Sequence, residues 1–320
     1  MSGGLDSTVA TKLILDQGIE VVGLHFTSPF CSRRERQEGL QATKTAKELG
    51  IRLILKEKGP EFVHLIQHPK HGYGKNMNPC IDCRIFMLRK TAQIMADEGA
   101  NFVVTGEVLG QRPMSQRRFT IELIERESGL ESLIVRPLSA KHFPPSNPEL
   151  EGLVERDQLL DICGRSRSIQ YDLVARFDLK EFGCPGGGCL LTDATFSKRL
   201  RDLFTHDKDF TMLDIDLLNT GRHFRLTPDA KVVVGRNQEE NERLQSLWRL
   251  PYALLYPVGF LGPLGILKGS LNRETTRVIA NIISHYSKKD TPMVIIESNN
   301  GSIARHAAER TDEDLERYRL

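Results

Sequence analysis

Two short stretches of this chain carry residue types arranged for chemistry. The first, Ser2-Gly3-Gly4-Leu5-Asp6-Ser7-Thr8, sets two glycines and three hydroxyls just before an apolar run at residues 9–15. The glycines let the backbone approach an anion closely, and the run reads as a helix whose N-terminus faces the loop. A helix N-terminus holds unpaired amides and a positive dipole end, which suits a phosphate. Asp6 adds a carboxylate able to hold Mg²⁺ against phosphate oxygens. The stretch lacks the GK[ST] ending of a Walker A loop, so γ-phosphate transfer is not the implied chemistry. The plainer alternative is a helix entered through a glycine turn and capped by Ser7.

The second stretch is Asn78-Pro79-Cys80-Ile81-Asp82-Cys83. A CxxC held in a turn by Asn-Pro brings two thiolates to one point, as metal or redox chemistry requires. Cys189, at the end of the glycine-rich segment 184–189, is the natural third member. Several readings stay open. Cys80, Cys83 and Cys189 could ligate a [4Fe-4S] cluster with one iron left to bind an extra sulfur. Alternatively Cys80 or Cys83 carries a persulfide and Cys189 attacks it, or Cys184 or a nearby His completes a structural zinc site. The thiols could also be bystanders. Cys31 and Cys163 read as packed small hydrophobes.

Helical and strand-like runs alternate through the first part of the chain. Residues 9–17, 35–49, 85–98 and 119–127 have helical spacing, and residues 19–26, 51–55, 101–106 and 133–137 read as strands. That alternation is the βαβ signature of a parallel sheet, so the expected fold is a doubly wound α/β domain. Ligands in such sheets sit at the carboxyl ends of the strands, which places His25, the Thr105-Gly106-Glu107 turn and the opening loop on one rim. A phosphate loop of this kind follows a buried strand, and only Met1 precedes it here. Extending the chain upstream by about ten residues is therefore expected to add an apolar strand. Residues 153–177 and 192–204 are expected to be helical. Beyond residue 206 short strands and a helix at 238–247 suggest a second, smaller α+β domain. The expected domains are 1–204, 205–300 and a charged tail, helical or frayed, over 301–320.

Composition narrows the partners. At 39% hydrophobic and 27% charged residues the chain is ordinary for a soluble protein. A formal charge of +2 is too small to announce a nucleic-acid binder, so any basic surface must be local. Arginines do cluster, at Arg33, Arg34 and Arg36, at Arg112, Arg117 and Arg118, at Arg165 and Arg167, and at Arg199 and Arg201. With no membrane-length apolar run and no signal peptide, the expected location is the cytoplasm, where the six cysteines stay reduced.

In order along the chain, SGGLDST, NPCIDCR, TGEVLGQRPMSQ, CGRSRSIQ and GGCLLTD resemble the adenylating domain of the tRNA 4-thiouridine and 2-thiouridine synthetases, over roughly residues 1–204. The opening loop resembles that of the ATP pyrophosphatases. Residues 206–300, with KVVVGRN at 231–237 and Glu240-Asn241, are similar to the RNA-binding module of NFACT proteins. The resemblance implies an ATP-dependent tRNA sulfurtransferase. ATP phosphates would lie on Ser2, Gly3, Gly4, Ser7 and Thr8, with Asp6 assisting through Mg²⁺. His25 and Phe26 would contact adenine, and Gly106 and Glu107 would line the nucleotide. A uridine carbonyl oxygen would be adenylated, and sulfur at Cys80, Cys83 or Cys189 would displace AMP. The sulfur would come from a cysteine desulfurase, a relay protein or sulfide. Arg112, Arg117 and Arg118 are candidates to hold RNA or ATP phosphates. The synthetases' usual N-terminal RNA-binding region is missing, which leaves RNA to Lys231, Arg236, Asn237, Arg243 and Lys268, with Phe224, Trp248 and Tyr252 as stacking platforms. Two other classes remain: a different adenylating ligase, such as an amidotransferase or a 7-cyano-7-deazaguanine-type synthase, and a non-catalytic RNA-binding factor with an ATP-sensing domain.

Overall fold

The computed structural model describes residues 1–31, 33–183, 189–287, 293–299, 301, 303–309 and 314–320. They divide into two compact units, Met1–Thr192 and Asp193–Leu320. The division falls before the helix at 194–206 rather than after residue 204. Among the described residues no helix is long and apolar enough to cross a membrane.

The first unit runs α1 (Leu5–Leu15), β1 (Val22–Thr27), α2 (Arg33–Glu48), β2 (Arg52–Glu57), α3 (Gly59–Gln67), α4 (Cys80–Asp97), β3 (Val103–Val104), α5 (Arg118–Ser128), β4 (Ile134–Val135), α6 (Asn147–Leu150) and α7 (Ser168–Arg176). The fold is mixed α/β. β1 pairs with β2 in parallel, and β3 pairs with β4 in parallel. Among the described residues these are the parallel pairs between strands, with isolated parallel bridges at Gly4–Gly183 and Leu109–Cys163, so the strands form two-stranded parallel sheets rather than the one wide sheet expected. α1 lies in the core because its apolar residues face two sides. Leu5, Val9 and Ala10 pack with Val108, Leu138 and Val174. Ile14 packs with Val135 and Leu159, together with Val21 and Val104 from the segments leading to and forming the strands. The expected long helix over 153–177 forms only from Ser168, and α3 was not expected.

Behind β3 lies a buried ion network. Glu107 is 2% exposed; its carboxylate accepts from Arg84 of α4 and from Arg136 Nε at 3.1 Å, and Arg136 also pairs with Glu125 of α5. Burial alone would push the Glu107 carboxyl up, but the two guanidiniums outweigh it and hold it down at about 2.

The second unit contains α8 (Ala194–His206), α9 (Met212–Leu217), β5 (Arg222–Thr227), β6 (Ala230–Val234), α10 (Gln238–Leu247), β7 (Ala253–Pro257), β8 (Gly265–Lys268), α11 (Arg273–Ser287), β9 (Met293–Asn299) and β10 (Ile303–Glu309). Its strands form one antiparallel sheet in the order β10-β9-β7-β8-β6-β5. The tail expected to be helical or frayed supplies edge strand β10 and, after it, a short 3-10 helix at Leu315–Tyr318, and Arg319 bridges to Phe224. β6 is apolar at successive positions because both sheet faces are covered: Val232 and Val234 pack with Ile279 and Ile283 of α11, and Val233 with Leu217 and Leu244.

Two consequences are measurable by thermal unfolding of the full chain. Glu107→Gln leaves Arg136 buried with one partner fewer and should cost about 3 kcal/mol. Because the Glu107 pKa is depressed on folding, its contribution is complete above the ordinary value of 4.5 and fades as pH falls toward 2, a slope the Gln variant should lack. Asp202→Ala strands the buried Lys231 together with Arg225, whose Nζ and Nη2 lie 3.0 and 2.8 Å from the lost carboxylate, and should cost about 3–5 kcal/mol.

Candidate functional site

The opening loop turns into α1 with Gly4 as the N-cap residue, and no side chain caps it. Ser7 therefore does not play the capping part. Its hydroxyl donates back to the Gly4 carbonyl at 2.9 Å and lies 3.0 Å from the Ser2 hydroxyl. The first-turn amides of α1 are left without a side-chain acceptor, the condition for anion binding. Gly3 is required for a reason the sequence did not disclose: φ is +73°, and a Cβ would lie 2.6 Å from the Ala42 amide nitrogen of α2. Gly183 braces the loop from the other side, its amide donating to the Gly3 carbonyl at 2.7 Å. Thr8 is displaced from the role expected for it. It is fully buried, with its hydroxyl donating to the Gly4 carbonyl at 3.0 Å, and offers nothing to a phosphate.

Asp6 stands in the first turn of α1, and three remote residues meet its carboxylate. Gln111 Nε2 donates to Oδ2 at 2.7 Å, Gln170 Nε2 donates to Oδ1 at 3.3 Å, and Arg167 Nε lies 3.6 Å from Oδ2. The sequence motifs contained Gln111, Arg167 and Gln170, but nothing in their spacing assigned them to Asp6. Gln170 is fully buried and its Oε1 has no hydrogen-bond partner. A buried orphan acceptor beside a carboxylate fits a divalent cation or its water ligands. Gly106 closes the group from the end of β3, where a Cβ would lie 2.7 Å from the Asp6 carbonyl and the Ser7 nitrogen. Glu107, expected to line a nucleotide, instead faces two arginines, the partly exposed Arg84 and the buried Arg136. His25 Nδ1 lies 3.0 Å from the Met1 carbonyl, so His25 and its β1 neighbour Phe26 stand beside the chain entering the loop.

The CxxC is the first turn of α4, not a free-standing turn. Cys80 Sγ accepts from Asn78 Nδ2 at 3.0 Å, and Cys83 Sγ accepts from Lys58 Nζ at 3.3 Å. Burial pushes the Cys80 thiol up; Asn78, Arg112 and Arg84 oppose the rise without cancelling it. Cys189 lies in a segment stitched to two others. The Leu190 amide donates to the Phe30 carbonyl at 3.0 Å, and the Met77 amide donates to the Leu191 carbonyl at 3.0 Å. Cys189 itself stands opposite Cys31 in an antiparallel bridge. Cys31 is thus no isolated packing residue. Among the described residues no group of three or more His, Cys, Asp or Glu side chains is placed to hold a metal. The described cysteines do not fit the three-thiolate cluster, and Cys184, one of the two candidates to complete a zinc site, lies outside the described residues.

Of the expected RNA contacts in the first unit, Arg112, Arg117 and Arg118 are exposed, and Arg118 also donates to the His142 carbonyl at 2.6 Å. In the second unit the expectation needs correcting. Lys231 is buried against Asp202, and Lys268 bridges Asp207 at 3.1 Å and Asp214 at 3.2 Å. Asn237 is the N-cap of α10, accepting from the Glu240 amide at 3.0 Å. Arg236 is half exposed and paired with Glu240, and Arg243 Nε is buried without a hydrogen-bond partner. Phe224 and Tyr252 are buried, Tyr252 donating to Asp214 Oδ1 at 2.9 Å, while Trp248 Nε1 donates to the Tyr252 carbonyl at 2.8 Å. Phe224 and Tyr252 therefore present no open ring face for base stacking, while Trp248 is half-buried.

Comparison with known proteins adds two matches. Residues 1–142 match the family model described as thiamine biosynthesis protein (ThiI), and residues 221–319 match the NFACT protein RNA binding domain. The tRNA-specific 2-thiouridylase MnmA of Syntrophotalea carbinolica is 35% identical over 114 residues, 33% of this chain and 32% of that protein. A probable tRNA sulfurtransferase of Anoxybacillus flavithermus is 36% identical over 114 residues, 35% of this chain and 28% of that protein. The matches thus span about a third or less of each relative's length. A solved NMN synthetase from Francisella tularensis aligns over 68% of this chain and 81% of its own at 13% identity, but a TM-score of 0.38 is too low to bear on the fold. The chain therefore joins a segment similar to the ThiI family, residues 1–142, to a segment similar to the NFACT RNA binding domain, residues 221–319.

Proposed function

We propose that this chain is an ATP-dependent tRNA sulfurtransferase, which adenylates a uridine and replaces its oxygen with sulfur. The observation that carries the reading is the convergence of Gly106, Gln111, Arg167 and Gln170 on Asp6, at the head of a helix with no side-chain cap. That arrangement suits a pyrophosphate leaving group. The α1 amides and the Ser2 and Ser7 hydroxyls donate to the phosphates, and Arg167 adds charge where negative charge builds up. Asp6, with the Gln170 Oε1 beside it, would hold Mg²⁺, which neutralises phosphate oxygens when bound. His25 and Phe26 border the adenine. We read the two parallel strand pairs as parts of one doubly wound sheet, because Ile14 packs with both Val21 and Val104.

The uridine carbonyl oxygen attacks the α-phosphate of ATP and pyrophosphate leaves. A cysteine-borne persulfide sulfur then attacks the activated carbon and AMP leaves. The sulfur reaches the cysteine from a desulfurase, a relay protein or sulfide. Positioning of the two reactants carries most of the rate, because little covalent work falls to the loop. Exposed Arg112 and Arg117 are the RNA contacts favoured in the first unit, and Arg236 in the second. A tRNA substrate places the reaction in the cytoplasm.

The test is an assay of purified protein with tRNA, ATP and a sulfide source, following pyrophosphate and thionucleosides together. ATP binding without pyrophosphate release would sink the enzyme reading in favour of an ATP-sensing factor. Pyrophosphate release without thionucleoside from any tRNA would favour another adenylating ligase. Asp6→Asn should lower pyrophosphate release by about 100-fold or more while the melting of the second unit stays unchanged. Gly106→Val pushes a side chain into the loop backbone and should weaken ATP binding by about tenfold, read by calorimetric titration.

A further inference from the structure

A single RNA strand is held by ring faces on which its bases stack and by cations on its phosphates. The first unit exposes both on two loops beside the CxxC. Residues 68–79 lead into α4, and Tyr73 is 40% exposed among them. Its hydroxyl donates to the Ile66 carbonyl at 2.6 Å, which fixes the side chain against the last turn of α3 without covering it. The neighbouring Gly74 amide donates to the Asn78 carbonyl at 2.9 Å, and Asn78 Nδ2 donates to Cys80 Sγ at 3.0 Å. Tyr73 is thus joined to the Cys80 thiol through one short turn. The second loop, residues 110–117, crosses the first at Met114, whose sulfur lies 1.8 Å from where a Cβ on Gly74 would stand. It carries exposed Arg112 and Arg117, and Phe119 follows in the first turn of α5, 74% exposed. Arg112 is near enough to Cys80 to act on its thiol, and Lys75 on the first loop is exposed as well. Among the described residues no carboxylate pairs with Lys75, Arg112 or Arg117, whereas Lys231 and Lys268 of the second unit are matched. A lone exposed ring is ordinary on a protein surface. Two rings interleaved with three unmatched cations on touching loops have the composition of a nucleic-acid platform.

We propose that Tyr73 and Phe119 are stacking platforms for an unpaired RNA strand whose phosphates rest on Lys75, Arg112 and Arg117. The role rests on the sulfurtransferase reading and deepens it: the substrate is a loop nucleotide of the tRNA, not a stem nucleotide. Inside a duplex both faces of every base are covered by its neighbours, and a side-chain ring gains no access to them. In a loop the bases splay, and their faces are open to aromatic rings. Tyr73 stacks on the base beside the target uridine and so sets how far the strand enters toward the thiols. Phe119 stacks on a base further along. Both act as positioning residues, through the bases they hold. Every base has a π-face, so the rings select strand conformation rather than sequence.

The first measurement needs no turnover. Full-length protein is mixed with a tRNA transcript carrying 5-iodouridine in place of uridine, irradiated, digested with trypsin and examined by mass spectrometry. The expected crosslinks fall on the peptides 71–75 and 119–126, at Tyr73 and Phe119. Single-stranded oligouridine should compete them away at a concentration about tenfold below that of duplex RNA. No crosslink at either ring, or equal competition by the duplex, overturns the proposal. The second measurement is turnover. Tyr73→Ala should raise KM for tRNA in thiolation by about tenfold and change kcat by less than about twofold, while Tyr73→Phe, which keeps the ring, stays near wild type. Phe119→Ala should raise KM by about fivefold, and Phe119→Tyr should restore it. A loss of the same size in Tyr73→Phe would assign the effect to the hydrogen bond with Ile66 and overturn the stacking role. An unaltered KM in both alanine variants overturns it too and leaves the sulfurtransferase reading intact. Absence of thionucleoside from wild-type protein overturns that reading, and the crosslinks then decide by themselves whether the rings bind a strand.

Discussion

The carboxylate of Asp6 is the point on which the first unit turns. An anion in the first turn of α1 is favoured by the helix dipole, but it is partly buried and needs donors. They come from residues 105 and 164 positions away in sequence. Meeting that need draws the segment after β3 and the helix α7 onto the loop. Neutral amides supply most of the contact, with Arg167 at longer range. The carboxylate is thereby held without being locked in a tight ion pair.

Close backbone approach is the second constraint. Gly3 lets α2 touch the loop on one side and Gly106 lets the end of β3 touch it on the other. Neither contact leaves space for a methyl group, so the loop is positioned by backbone atoms on two sides. Behind Gly106, the buried Glu107 between Arg84 and Arg136 ties α4 to β3 and to the segment leaving β4. Because α4 begins with the CxxC, the same network that fixes the strand end also fixes where Cys80 and Cys83 stand.

In the second unit charge is used internally. Asp202, Asp207 and Asp214 receive Arg225, Lys231 and Lys268 beside a sheet apolar on both faces. Lysines that read as nucleic-acid contacts in a list of basic residues are counterions to these carboxylates. Asn237 and Glu240 in the neighbouring motif organise the start of α10, leaving Arg236 the half-exposed cation of that loop. A basic residue type says nothing about whether its charge is already matched.

The sequence by itself determined the local elements and the order of the motifs. Helix α10 appears over the span its spacing predicted, and α1, α2, α4, α5 and α8 lie within a few residues of theirs, because helical periodicity is a local property. The glycine-rich entry to α1 and the cysteine spacing were likewise legible. Only tertiary structure decided which remote residue answers each of them. It set Gln111, Arg167 and Gln170 against Asp6, turned Glu107 toward two arginines, buried Lys231 and Phe224, and placed Cys31 across from Cys189. The physical reason is that burial and pairing depend on contacts between segments far apart along the chain. No residue type carries that information until the backbone has brought those segments together.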